Sequence, residues 1–373
     1  MRFVSPALKH VVFPALSRSG FLRYAASAPP AMARPAIVTY HGVFPEGYER
    51  RNAALDGNLV HADSLRRQLR LLTKRYHVIS PADFLRWSEG TQSLPPRSIL
   101  LTCDDALQNT LTVMVPILQE FGVQCLFFAT GASADEKPSM LWYEELYLML
   151  LETSLPLRLD IPEAQVDVGF VAAEQRHAYW WSLVERFSCF DQATRRRFLD
   201  QVRDQLSLPA RWRAQVTKNS AAASRFLILN RTGLPQLAAS GMSVGAHSIS
   251  HPILARMSDE LAWHEVSESK RVLEQALGQT VWAFGYPFGN GSTVSARDMH
   301  FAKRAGYRCA FMNIGGGFGA KSERFGLPRV HVTADMTLAE FEGHISGFYS
   351  WLRKKLTGTN EMEALPASHL DAT

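Results

Sequence analysis

Leu100-Leu101-Thr102-Cys103-Asp104-Asp105-Ala106 is the stretch on which the reading of this chain turns. An apolar run from Ser98 to Leu101, of strand-like composition, ends in two adjacent carboxylates, and a polar, helix-opening segment follows. In a parallel α/β sheet such a run is buried on both faces, and ligands gather outside the carboxyl ends of the strands. Two acids held together there repel each other, so one needs a proton or a cation. Taken alone, the stretch reads equally well as Asp104 capping the next helix with Asp105 solvated. A second stretch changes the balance. Gly245-Ala246-His247-Ser248-Ile249-Ser250-His251-Pro252 also follows a strand-like segment, Met242 to Val244, and supplies two imidazoles four residues apart.

Outward from these stretches the chain alternates. Ala36–Tyr40 reads as a first strand running into His41-Gly42-Val43. Asp63–Tyr76 places Leu65, Leu69 and Leu72 on one stripe and Arg66, Arg67, Arg70 and Lys74 opposite, which predicts an amphipathic helix. Tyr76–Ile79 is a short strand, and Ser80-Pro81 opens a helix over Ala82–Ser88. Thr110–Phe121 is a helix closed by Gly122, and Val123–Thr130 a buried strand. Alternation resumes near Leu234–Ala239 and continues through a helix at Ser258–Leu277 and strands at Thr280–Phe284, Tyr307–Met312 and Pro328–Val332. Leu338–Leu356 reads as the last helix. Strand-then-helix repeated at least six times predicts a parallel sheet, either open or closed into a barrel.

Between the two halves, residues 140–225 read as helical throughout and form an inserted lobe, which divides the catalytic domain into 36–139 and 226–356. An insertion leaving a strand's carboxyl end is placed to vary substrate choice. Arg176, Arg186, Arg195 to Arg197, Arg203, Arg211 and Arg213 outnumber nearby acids, so this lobe is expected to offer a basic face to an anionic carrier or membrane surface. Residues 1–35 read as a ragged leader, with Ala7–Tyr24 lying on a membrane surface as the alternative. The tail 357–373 reads as disordered.

Composition narrows the classes. With 46% hydrophobic and 20% charged residues, 373 residues can bury a sizeable core. The +5 formal charge is mild, and no Lys/Arg run looks like a nucleic-acid arm. Cys103, Cys125, Cys189 and Cys309 are scattered, without a Cys-x-x-Cys, which favours a reducing, cytoplasmic compartment with at most a membrane-peripheral location. Pro6, Lys9, His10 and Pro14 interrupt any signal-like core, and no run of about 18 apolar residues is present.

Twelve histidines supply roughly 0.4 His-x-x-x-His pairs by chance, so the spacing alone is weak. Its position after a strand, with acids at another strand end, is what gives it meaning. Two imidazoles, one carboxylate and an open water position make a catalytic zinc set, and a carboxylate beside the water is a natural general base.

Taken together, the motifs resemble the polysaccharide deacetylase (NodB-homology) family. Thr102-Cys103-Asp104-Asp105-Ala106 is similar to its Thr-Phe-Asp-Asp-Gly motif, and His247-Ser248-Ile249-Ser250-His251 to its His-Ser-x-x-His. Phe284-Gly285-Tyr286-Pro287-Phe288-Gly289 looks like the Phe-Ala-Tyr-Pro-Tyr-Gly branch, as does the Tyr40-His41-Gly42-Val43 opening. The resemblance implies a distorted (β/α) barrel of about seven strands, here with an inserted helical lobe. It further implies a divalent metal, zinc, at Asp105, His247 and His251, with Asp104 as base. The Phe288 backbone N–H would hold the oxyanion, and His331 is a loose counterpart of the family's late histidine, its general acid. Tyr286 and His41 are expected at the substrate, and Arg329 is expected to pair with Asp104 in place of an arginine missing near Phe284. Ala106 and Cys103 replace Gly and Phe. The implied reaction is hydrolysis of N-acetyl groups on a polysaccharide or lipid-linked sugar. The alternatives are a same-fold amidohydrolase on a non-sugar amide, or an impaired glycan-binding scaffold.

Overall fold

Seven parallel strands curl around an apolar interior in the computed structural model, which describes residues 7–25, 34–154, 157–170, 172–316 and 323–357. In chain order the strands are β1 (Ala36–Tyr40), β2 (His77–Val78), β3 (Ser98–Cys103), β4 (Leu126–Ala129), β5 (Leu157–Ile161), β6 (Val166–Phe170), β7 (Ser243–Ala246), β8 (Ala283–Gly285), β9 (Cys309–Phe311) and β10 (Val330–His331). The main sheet runs β10-β1-β3-β4-β7-β8-β9, with β2 paired to the start of β3. The segment after residue 323 closes the curl. Its Leu327 and Arg329 amides bond to the Ala310 and Ile314 carbonyls on one side, and the Val332 amide bonds to Thr39 on the other. The architecture is a (β/α) half-barrel of the expected class.

Strand period positions the site. Ile37, Leu100, Leu126, Phe128, Ala283, Cys309, Phe311 and Leu327 form the interior cluster, while Val38, Tyr40, Leu101, Cys103, Phe127 and Val330 pack outward against the helices. Side chains two apart share a face. Thr39 and His41, Thr102 and Asp104, Gly245 and His247, and Arg329 and His331 therefore all turn inward at the carboxyl edge. Gly245 is required for this: a Cβ there would lie 2.7 Å from the Phe128 ring.

Local caps fall where the sequence places them. The Ser80 side chain caps the Pro81–Ser88 helix, and Ser258 caps Asp259–Leu277, which Gly278 ends at φ +65°. Three expectations are corrected. Residues 157–170 are not helical: β5 and β6 form an antiparallel hairpin, with Leu157, Leu159 and Ile161 buried in alternation. The last helix is two, Leu338–Ile345 and Phe348–Thr357, separated by Gly347 at φ +76°. Residues 8–25 are not ragged but form short helices, with Phe13 and Leu22 buried. Phe13 packs against Phe348 and against Gly343, where a Cβ would lie 2.4 Å from its ring. The remaining leader residues, 1–6 and 26–33, and the tail beyond 357 lie outside the described residues.

The lobe leaves the barrel at Met140 and returns at Leu227, two residues that bridge to each other. It has its own apolar core, including Trp142, Leu146, Phe187, Phe198, Trp212 and Phe226. Its arginines are largely engaged within the protein: Arg196 and Arg213 on Glu145, Arg203 on Asp200, Arg197 on Glu163. That leaves the expected basic face with few uncommitted charges.

Candidate active site

The two acids of the opening stretch part company at the edge of β3. Asp104 continues the strand's inward parity. Asp105 turns away at φ +70°, and Ala106 follows at φ +48°. A cleft of about 320 Å³ opens beside them, lined by Asp104, Asp105, His41, His247, His251 and His331 among others.

Asp105, His247 and His251 converge, with ligand atoms within 4.8 Å of one another. Asp105 Oδ1 lies 3.7 Å from His247 Nε2 and 3.4 Å from His251 Nε2. That oxygen is buried and has no hydrogen-bond partner, the state of an acceptor built for a cation. His247 uses Nδ1 on the Gly285 carbonyl, 2.7 Å away, which turns Nε2 toward Asp105. Burial pushes the His247 imidazole down to about 4, so it is neutral and ready to ligate at neutral pH. Two nitrogens and one carboxylate oxygen fit zinc or a similar divalent ion.

Asp104 is held differently. Arg329 donates from NH1 to Oδ1 at 2.6 Å and from NH2 to Oδ2 at 2.7 Å, a bidentate pair in which both side chains are buried. Burial alone would raise the Asp104 carboxyl, but the Arg329 guanidinium, with His247 and His41, holds it well below the usual carboxylate range. His41 Nε2 lies 3.6 Å from Asp104 Oδ2, and the His41 ring centroid is 4.7 Å from that of His331. Burial, then the neighbouring His41, push His331 down to about 3, and its Nε2 has no partner. Asn109 accepts the Val43 amide at 2.9 Å and fixes the His41 turn. Gly42, at φ +118°, has no room for a Cβ there.

Backbone strain concentrates at the same place. Of the eight non-glycine residues with positive φ among those described, Asp105, Ala106, Ser248, His251 and Phe288 belong to the three motifs. The geometry is thus a carboxylate and two imidazoles for an ion, beside an ionised carboxylate clamped by arginine.

A family model for polysaccharide deacetylase matches residues 215–310, the span that carries both imidazoles and Phe288. The chain is similar to the polysaccharide deacetylases in sequence and in fold. The Streptococcus pyogenes deacetylase PplD, solved in complex with acetate, aligns with a TM-score of 0.52 at 16% identity, over 83% of this chain and 97% of that one. IcaB from Ammonifex degensii aligns with a TM-score of 0.52 at 14% identity, over 84% and 97%. BC0361, a polysaccharide deacetylase from Bacillus cereus, gives 0.50 at 16%, over 83% and 68%. No curated protein sequence matches the chain.

On this deacetylase-like scaffold one expected site residue is misplaced. Tyr286 is fully buried and donates its hydroxyl to the Phe325 carbonyl at 2.9 Å, so it cannot meet a substrate. The reason is parity: just past β8 the Tyr286 amide still bonds to the Phe311 carbonyl, and Tyr286 joins Phe284 on the outward face. Phe288 does line the cleft, its ring 4.8 Å from His251.

Other contributors come from the lobe. Tyr143, Trp180 and Trp181 of the lobe line the cleft, and Tyr143 lies 4.8 Å from the His251 ring. Trp142 Nε1 donates to the His251 carbonyl at 2.9 Å. Arg195 belongs to the run expected on the lobe's basic face, yet it is buried on Glu265 and on the Ser250 hydroxyl, and Glu265 also accepts the Ser250 amide. The lobe therefore braces the histidine loop as well as walling the cleft.

The two motif departures are benign in this setting. Cys103 is fully buried and packs outward; burial, with the neighbouring Cys125, pushes its thiol far above the ordinary range. Ala106 pays for positive φ by about 1 kcal/mol, but its buried methyl contributes roughly 0.8 kcal/mol. Ala106→Gly is expected to move stability by less than about 1 kcal/mol, read from urea denaturation midpoints. A larger gain would mean that the loop is held under greater strain.

Proposed function

We propose that this protein is a metal-dependent hydrolase removing N-acetyl groups from the sugar units of a polysaccharide or a lipid-linked sugar. The observation carrying the reading is the division of labour between adjacent acids: Asp105 Oδ1 is left unpartnered beside two imidazoles, while both oxygens of Asp104 are held by Arg329. Asp105, His247 and His251 would hold the ion. When bound, a divalent ion there supplies Lewis acidity, polarising an acyl oxygen and bringing the pKa of water toward about 7.

The chain's own groups supply the rest. Asp104, ionised through Arg329, takes the proton as water attacks the acyl carbon. The backbone N–H of Phe288 is assigned to the developing oxyanion, a donor typically worth ~3 kcal/mol. The proton then has a path from Asp104 through His41 to the leaving amine, with His331 alongside. The products are acetate and a free amino sugar. The arginine clamp also removes the main argument for an impaired scaffold, since the base has its partner from another strand.

The test is acetate release from N-acetylated oligosaccharides, from lipid-linked acetamido sugars and from small non-sugar acetamides, with and without chelator. Release confined to the small amides, or unaffected by complete metal removal, would sink the proposal. Within it, Trp181→Ala is expected to raise KM for an oligosaccharide about fivefold while turnover of a small acetamide stays constant, the loss of one aromatic contact of ~1 kcal/mol. Equal losses on both substrates would make Trp181 a packing residue only.

A further inference from the structure

Among the described residues, six large hydrophobic side chains are exposed, and all lie in two terminal segments. They are Val11, Phe21 and Tyr24 on one side, and Leu338, Trp351 and Leu356 on the other. The two segments form one layer. Phe13 packs on Phe348, Phe21 meets Phe348 edge-on at 5.7 Å, and Phe348 stacks on Trp351 at 5.6 Å. The charge of this layer is mostly of one sign. Residues 7–25 and 338–357 contain Lys9, Arg18, Arg23, Arg353, Lys354 and Lys355 against two acids, both buried: Glu340, which pairs with Lys9, and Glu342. Trp351 and Lys355, four residues apart on one helix, share a face.

We propose that this layer is a docking surface for an anionic lipid bilayer, on which the helices lie flat. Aromatic and aliphatic side chains beside Lys and Arg are the composition of an interfacial helix: rings settle at headgroup level while the cations meet lipid phosphates. Among the described residues, no helix is long and apolar enough to cross a membrane, so the contact is one of surface. A second copy of the chain fits the face poorly. An isologous dimer would set one net positive face against another. The docking does not depend on the reaction proposed above, nor on the lobe arginines.

Co-sedimentation of the full chain with vesicles of phosphatidylcholine, alone or mixed with phosphatidylglycerol, tests it. Partitioning onto the phosphatidylglycerol vesicles should exceed that onto phosphatidylcholine alone by at least about tenfold and fall with added salt. Arg18→Glu combined with Lys355→Glu should lower it at least about tenfold. Trp351→Ser combined with Leu356→Ser should do likewise, while Arg197→Glu on the lobe changes nothing. All altered positions are exposed, so folding is retained. Partitioning that ignores lipid charge, or that survives both double variants, overturns the proposal. So does concentration-dependent dimerisation in solution that Trp351→Ser with Leu356→Ser abolishes, without vesicle binding by the parent protein.

Discussion

His251→Ala is expected to weaken divalent-metal binding by more than about 100-fold, whereas Asp104→Asn should keep the metal and lose about 10²–10⁴-fold in turnover. The geometry separates the two. Asp105 Oδ1 faces His247 and His251 with no other partner, so removing one imidazole leaves an incomplete shell. Asp104 has both oxygens on Arg329, and an isosteric amide keeps the shape while discarding the base. Metal content after dialysis, measured beside acetate release, distinguishes these outcomes. Equal metal loss in both variants would show that the roles of the paired acids are wrongly divided.

The legible part of this site is the part written in short-range order. The apolar run into Asp104-Asp105 and the two imidazoles after another strand are local patterns, and the strand period fixes which neighbours turn inward. Sequence identifies Arg329 as a partner for Asp104 only by the absence of another arginine. The contact itself needs the register Thr39↔His331, which sets β10 beside β1 and so near β3. Tyr286 is misplaced by parity: two residues after Phe284, it shares that residue's outward face although β8 ends at Gly285. The β5–β6 hairpin carries a period of two in Leu157, Leu159 and Ile161, but it is short and flanked by helix formers. Arg195 and Glu265 are 70 positions apart and meet only through the lobe's packing, which no local pattern encodes.

The same clamp gives a test with opposite signs in stability and in rate. In the folded protein the Asp104 carboxyl lies below its unfolded value of about 3.9, so its stabilising contribution is present above that pH and lost as pH falls through the folded value. Arg329→Met keeps a side chain of similar length against Phe128, which Arg329 now overlies at 5.3 Å, but removes the charge. Burial, the largest influence on Asp104, then goes unopposed by its main partner and raises the carboxyl. Breaking a buried pair in this way costs about 3–5 kcal/mol at neutral pH. That penalty should shrink as pH falls toward 4, because protonating Asp104 relieves the stranded charge. Activity should show the reverse preference: the base needs its ionised form, so the acidic limb of the pH–rate profile moves to higher pH. Adding Asp104→Asn to Arg329→Met should recover most of the lost stability and none of the activity, a coupling that a double-mutant cycle measures directly. Denaturation midpoints at pH 7 and pH 4.5, taken with the pH–rate profile, decide it. A single variant with an unchanged profile and a pH-independent stability loss would reduce Arg329 to a packing residue at the end of a strand.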